Sequence, residues 1–159
     1  VDNDALFDAL ETGVVKRYIT DFGTEDLLNK PNVTVFPHVG GSTGEAELNC
    51  AIMAGQTIRR FMETGEIVNS VNFPRVQQAL SAPYRITLIN KNVPNIVARI
   101  STAVSDFNIN IDNIINRSKG DYAYTLLDLD ETDKSKIDEL VAKFEASDNI
   151  VRVRLIKGK

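Results

Sequence analysis

With one cysteine in 159 residues, the chain has no partner for an internal disulfide. Cys50 therefore makes a reducing compartment, the cytoplasm, the expected setting. There is one histidine, His38, and no tandem of His, Cys and acidic residues at ligand spacing, so no metal is expected. Basic residues are outnumbered, 18 Lys and Arg against 22 Asp and Glu, and they are not clustered. That balance argues against nucleic acid or an anionic membrane as a partner. No apolar run approaches the roughly 18 residues of a membrane span, and the opening Val-Asp-Asn-Asp is unlike a signal or transit peptide. No Gly-x-Gly-x-x-Gly turn occurs among the nine glycines, which leaves no dinucleotide phosphate loop. What is plentiful is apolar residue, 43% of the chain, enough for one ample core or two small ones.

Residues 84–156 read as one closed domain. Tyr84, Ile86 and Leu88 alternate with Arg85 and Thr87, the period of a half-buried strand. Pro94 suits a first helical turn, and Ile96, Ile100, Ala103, Val104 and Phe107 fall on one helical face. Asn108-Ile-Asn110 ends that helix. Residues 109–117 and 122–130 are rich in β-branched, aromatic and leucine side chains around Ser118-Lys-Gly-Asp121, which predicts a hairpin. Thr132 or Asp133 can cap a second helix carrying Ile137, Leu140, Val141 and Phe144, and residues 150–156 supply a last strand. The order βαββαβ predicts an α+β, ferredoxin-like domain with both helices on one side of a four-stranded antiparallel sheet.

The loop Asn90-Lys-Asn92-Val-Pro94-Asn95-Ile96 resembles the strand-to-helix loop of ACT domains, small amino-acid-binding regulatory modules, with Asn95 where that family usually has glycine. The resemblance implies an amino acid as ligand, its carboxylate met by free N–H groups at Asn95, Ile96 and Val97. In serine-sensing members a His and an Asn of this loop and an Asn opening the second strand grip serine between two ACT domains. Those positions match Asn90, Asn92 and Asn110, with Asn90 replacing the histidine. L-Serine or a similar amino acid, and a homodimer or larger homo-oligomer built through the ACT sheet, are therefore the implied partners. The plainer reading is that these asparagines are turn and cap residues.

Upstream, residues 1–13 predict a short helix stopped by Gly13, and residues 18–22 and 32–36 predict two short strands. Phe36-Pro-His-Val-Gly-Gly-Ser-Thr43 resembles a signature of the NAD-dependent D-2-hydroxyacid dehydrogenases, and Asp21-Phe-Gly-Thr-Glu25 resembles that family's Asp-Val-Phe-x-x-Glu run. The resemblance implies that His38 is the general acid/base, that Glu25 orients it, and that Asp21, Gly40 and Gly41 lie on the cofactor side. Gly23-Thr-Glu-Asp departs from the family's Pro-x-Glu-Pro. An imidazole tuned by a carboxylate suits proton delivery to a carbonyl oxygen as hydride arrives. The family's carboxylate-clamping arginine is missing, and Val1-Asp2 is similar to the pair following its Arg-Gly segment. NAD is accordingly expected in an intact parent and no cofactor in this chain, which is expected to be inactive alone.

From Ser42 to Gly65 a long helix is predicted, with Leu48, Ile52, Ile58 and Met62 on an apolar stripe. It is expected to pack on another copy or to be poorly ordered. Ile67-Val-Asn-Ser-Val-Asn-Phe-Pro74 resembles the stretch that joins catalytic and regulatory parts in the phosphoglycerate-oxidising branch of the same family. The expected organisation is a nucleotide-domain remnant over 1–41, a crossing helix over 42–65, a linker over 66–83 and an ACT domain over 84–156. Alternatives are a ligand-independent oligomerisation module and the ACT module of another 2-hydroxyacid dehydrogenase.

Overall fold

The computed structural model describes residues 1–158. They form two compact units, Val1–Ile52 and Met53–Lys159. In the first unit, α1 (Asn3–Glu11) is capped by Asp2, whose carboxylate accepts from the Ala5 N–H at 3.0 Å. Gly13 follows at φ +74°, the left-handed stop its position suggested. β1 (Tyr18–Thr20) and β2 (Val33–Val35) pair in parallel, shorter than their apolar runs. Leu6, Leu27 and Thr20 are this unit's buried side chains, while Ile19, Phe22, Leu28 and Phe36 remain exposed.

The helix α2 (Gly44–Thr64) begins after Thr43, whose hydroxyl accepts from the Ala46 N–H. None of its residues is buried, and Leu48, Ile52, Ile58 and Met62 lie exposed along it. No helix among the described residues is long and apolar enough to cross a membrane, and no cluster of potential metal ligands occurs among them.

The second unit is the predicted βαββαβ fold. β3 (Tyr84–Lys91), β4 (Asn110–Lys119), β5 (Tyr122–Asp130) and β6 (Ile150–Lys157) form an antiparallel sheet in the order β4-β5-β3-β6. The β4–β5 hairpin turns through Gly120 at φ +64° and Asp121. Asp112 forms a bulge in β4, whose outer edge is unpaired. α3 (Ile96–Ser105) starts two residues after Pro94, and α4 (Lys134–Glu145) is capped by Asp133 on the Ser135 N–H. Ile96, Ile100, Val104, Ile137, Leu140 and Phe144 of the helices bury against Tyr84, Ile86, Leu88, Leu127 and Leu129. At about 1.5–3 kcal/mol for each large side chain removed from water, this layer is the main stabilising contribution.

The opposite face departs from the sequence reading. Arg85 and Thr87 were expected to face solvent, yet both are buried, as are Tyr124, Leu126 and Asp128 beside them. Residues 66–83, read as a linker, cover this face. Ile67 and Val76 exchange backbone hydrogen bonds and pack with Tyr124 and Leu126. The sheet also finishes α2, whose last carbonyls lack partners within the helix. Arg154 donates to the carbonyls of Phe61 and Met62, Arg85 to that of Thr64, and the Tyr124 hydroxyl to that of Gly65 at 2.6 Å.

Burial pushes the Tyr124 phenol above its ordinary value of 10.0, against smaller opposing effects from Thr87, Arg154 and Arg85. In the unfolded chain the phenol ionises first, so the stability this side chain contributes is intact below about pH 10 and falls as pH rises beyond it. Tyr124→Phe should flatten that alkaline slope in a plot of thermal midpoint against pH. An unchanged slope above pH 10 would contradict the assignment.

Candidate functional site

In the first unit, β1 delivers Asp21 and Phe22 to the loop that carries His38. The His38 Nδ1 lies 2.8 Å from the Asp21 Oδ2, and the Phe22 ring leans on the imidazole with centroids 4.5 Å apart. The His38 side chain is 61% exposed, so the ring is held from one side and open on the other. The carboxylate that meets His38 is thus Asp21's. Glu25 sits on the short turn Glu25–Leu27, exposed, and no ion pair joins it to His38 among the described residues. Gly40 and Gly41 are exposed, with open space where a Cβ would stand on each. Gly23, where the motif departs from its family, is pressed against Val35 so closely that a Cβ would lie 2.5 Å from Cγ1. With Nδ1 engaged by a carboxylate, the imidazole can offer its other nitrogen for proton exchange.

In the second unit, the end of β3, the start of α3 and the β4–β5 hairpin converge. Asn95 is the N-cap of α3 at φ +62°, which explains asparagine in a glycine position, since it tolerates the left-handed conformation. Its side chain makes no cap hydrogen bond, so the first turn of α3 opens at an exposed residue without side-chain capping. The Ile96 N–H, expected to be free for a carboxylate, instead turns back to the Val93 carbonyl at 3.3 Å, and the Ile96 side chain is buried in the core. Asn92 is exposed; its backbone N–H donates to the Asp121 carbonyl and its side chain to the Gly120 carbonyl, tying the loop to the hairpin. Asn110 is exposed at the start of edge strand β4, opposite Asp130 and so at the far end of the sheet from the hairpin; within one copy the structure does not bring it to Asn92 and Asn95.

Asn90 differs from the other three. It is completely buried, its Oδ1 accepting from the Thr125 hydroxyl at 2.8 Å and its Nδ2 donating to the Lys91 carbonyl at 3.0 Å. Asn116 donates to the same Thr125 hydroxyl at 2.6 Å. Sequence reasoning passed over Thr125 and Asn116. Their signal was polar residues at positions of β5 and β4 whose two-residue neighbours, Leu127 and Ile114, belong to the core.

No family model matches the chain. D-3-phosphoglycerate dehydrogenase 2 of Saccharomyces cerevisiae is 31% identical over 139 residues, covering 84% of this chain and 29% of the yeast protein. The D-3-phosphoglycerate dehydrogenase of Escherichia coli K12 is 26% identical over 167 residues, covering 98% of this chain and 40% of that protein. The chain is thus homologous to D-3-phosphoglycerate dehydrogenases and spans between about three-tenths and two-fifths of the length of these relatives. Among solved structures, the ACT domain from GTP pyrophosphokinase of Chlorobium tepidum is similar at 18% identity and a TM-score of 0.42, over 46% of this chain and 95% of that one. The ligand-free regulatory subunit of aspartate kinase from Thermus thermophilus is similar at 21% identity and 0.40, over 48% and 52%.

Proposed function

We propose that this chain is the regulatory region of an NAD-dependent D-3-phosphoglycerate dehydrogenase, with the last part of its catalytic half attached. It binds an amino acid, L-serine, where two copies of the 84–156 domain meet. The observation that carries this reading is the uncapped start of α3. Beyond Ile96, exposed Val97 and Ala98 of its first turn offer backbone N–H groups, with the positive end of the helix dipole behind them, to a carboxylate. The amides of Asn92 and Asn95 beside it can donate to that carboxylate and accept from the ammonium, while Asn110, opposite Asp130 at the other end of the sheet, would reach the ligand only from the second copy. The open edge of β4 supports a second copy as the other wall, because a strand edge with free N–H and C=O groups pairs with its like. Binding that favours one arrangement of the paired domains then shifts the parent between its active and inhibited forms.

In the complete enzyme, His38 exchanges the proton with the substrate's C2 oxygen, and a carboxylate at Nδ1 orients the ring. Glu25 and Asp21 are the two candidates for that carboxylate, and Asp21 makes the contact in this chain. The residues present do not make a dinucleotide site, since they include no Gly-x-Gly-x-x-Gly turn, and NAD belongs to the parent.

L-Serine at a hundred times its dissociation constant should stabilise the chain by about 2.7 kcal/mol, read as a raised thermal midpoint. D-Serine, glycine and L-alanine serve as comparisons. No shift with L-serine, in a sample shown to be a folded dimer, would reject the serine reading. It would leave the open β4 edge as the basis of a ligand-independent assembly module. A larger shift with a different amino acid would assign the module to another 2-hydroxyacid dehydrogenase.

A further inference from the structure

We infer that Thr125 and Asn116 are positioning residues for the amino-acid site, acting through Asn90 on the 91–95 loop; this rests on the reading of that loop as the site. The three side chains form a chain of hydrogen bonds across β4, β5 and β3, from the edge strand to the end of β3. Its direction is fixed at one end. The Lys91 carbonyl can only accept, so the Asn90 amide must turn its Nδ2 toward it. The Oδ1 of Asn90 then faces Thr125, whose hydroxyl has one proton to give and gives it there. Thr125 is left only able to accept, and Asn116 supplies the donor.

Each link therefore orients the next, and the last helps hold the carbonyl of Lys91, where β3 runs into the loop. The rest of that loop is fastened separately. The Lys91 N–H donates to the Asn149 carbonyl at 2.9 Å and the Asn92 N–H to the Asp121 carbonyl at 2.8 Å. Thr125 and Asn90 are both fully buried, so neither can replace a lost partner with water. Taking away the Thr125 hydroxyl leaves Asn90 Oδ1 without its donor and frees the amide to turn. The Lys91 carbonyl then keeps only the Val93 N–H, at 3.0 Å, and the turn that carries Asn92 and Asn95 loses one of its fastenings. Thr125 needs no contact with the ligand for this effect. Ligand sites depend on supporting groups that hold the contacting ones in place.

The test is a calorimetric titration of L-serine into this chain and its variants, at a temperature where each is folded. Thr125→Val keeps the shape and removes the hydroxyl; we expect its dissociation constant for L-serine to rise about tenfold or more. Thr125→Ser restores the hydroxyl and should return to within about threefold of the parent. Ile86→Val, a cavity in the same core without any link to Asn90, should bind as the parent does and so separates positioning from loss of stability. If Thr125→Val does not fold, Asn116→Ala, at the half-exposed end of the chain of bonds, carries the same expectation in the same direction. Equal affinity in the parent and Thr125→Val, or a Ser variant as weak as Val, overturns the positioning role while leaving the amino-acid site standing. No binding of L-serine by the parent itself overturns the site, and the positioning role with it.

Discussion

Asp128→Ala is expected to destabilise the 53–158 unit by about 3–5 kcal/mol, the cost of leaving a buried charge without its partner. Arg85 and Asp128 are both fully buried, and the guanidinium is completely satisfied. Its Nε lies 2.5 Å from Asp128 Oδ1 and its Nη2 2.7 Å from Asp128 Oδ2, the bidentate fork of a strong pair. The remaining three donors go to the carbonyls of Thr64, Gln78 and Ala79 at 2.8, 2.8 and 3.1 Å. Five donors thus meet five acceptors, which no other side chain can do. Arg85→Met should cost a similar amount, because it strands the carboxylate and three carbonyls together. Pairing Arg85→Met with Asp128→Leu should recover part of the loss, since replacing both charges removes the uncompensated one. Urea unfolding followed by circular dichroism measures all three. A loss below about 1 kcal/mol for Asp128→Ala would mean that water reaches the guanidinium and that the pair is not the fastening described.

Gly65→Ala should cost about 2–4 kcal/mol, from two separable sources. At φ +71° any side chain meets the penalty of the left-handed region, about 1 kcal/mol or somewhat more. A Cβ there would also stand 2.5 Å from Thr87 Cγ2 and 3.0 Å from Ile156 Cδ1, on the covered face of the sheet, and such overpacking typically costs about 1–3 kcal/mol. Gly120→Ala isolates the first source. Gly120 sits at φ +64° with nothing within 4 Å of its added Cβ, so only the conformational part should appear. Equal losses at the two positions would show that α2 lifts from the sheet to admit the methyl. That outcome would also let water reach the Tyr124 phenol, weakening the desolvation that raises it and so flattening the alkaline slope.

The helices and strands of residues 84–156 were legible because period, caps and turn residues agree on each of them. Asp133 and Gly120 behave as their types require, and the left-handed Asn95 and Asn108 mark the two ends of α3. The second face of the sheet was not legible. Alternation of Tyr84, Ile86 and Leu88 with Arg85 and Thr87 has the pattern of a half-buried strand, and an arginine there reads as solvent-facing until Asp128 is set opposite it by the register. The run Ala123-Tyr-Thr-Leu-Leu127 carried the contrary hint, since near-continuous apolar strands are covered on both sides. Residues 66–83 have neither period, so their packing follows only from the face they meet. At His38 the motif brought Asp21, Glu25 and the histidine into one local neighbourhood in sequence. Which carboxylate touches the ring is a matter of loop path, and that depends on Gly23 lying against Val35.

The bulged edge strand has one more consequence. β4 carries an acid, Asp112, toward its beginning and a base, Arg117, toward its end, both exposed. Such a strand is electrostatically self-complementary only when reversed. A copy laid antiparallel on this edge brings the Asp112 end of one β4 toward the Arg117 end of the other. A parallel copy in register would stack acid on acid and base on base, which disfavours it. The extra residue at Asp112 breaks the regular ladder there, so an unrelated flat strand finds no continuous row of groups to join. The same few residues that leave the edge open thus disfavour both a flat unrelated strand and a parallel copy.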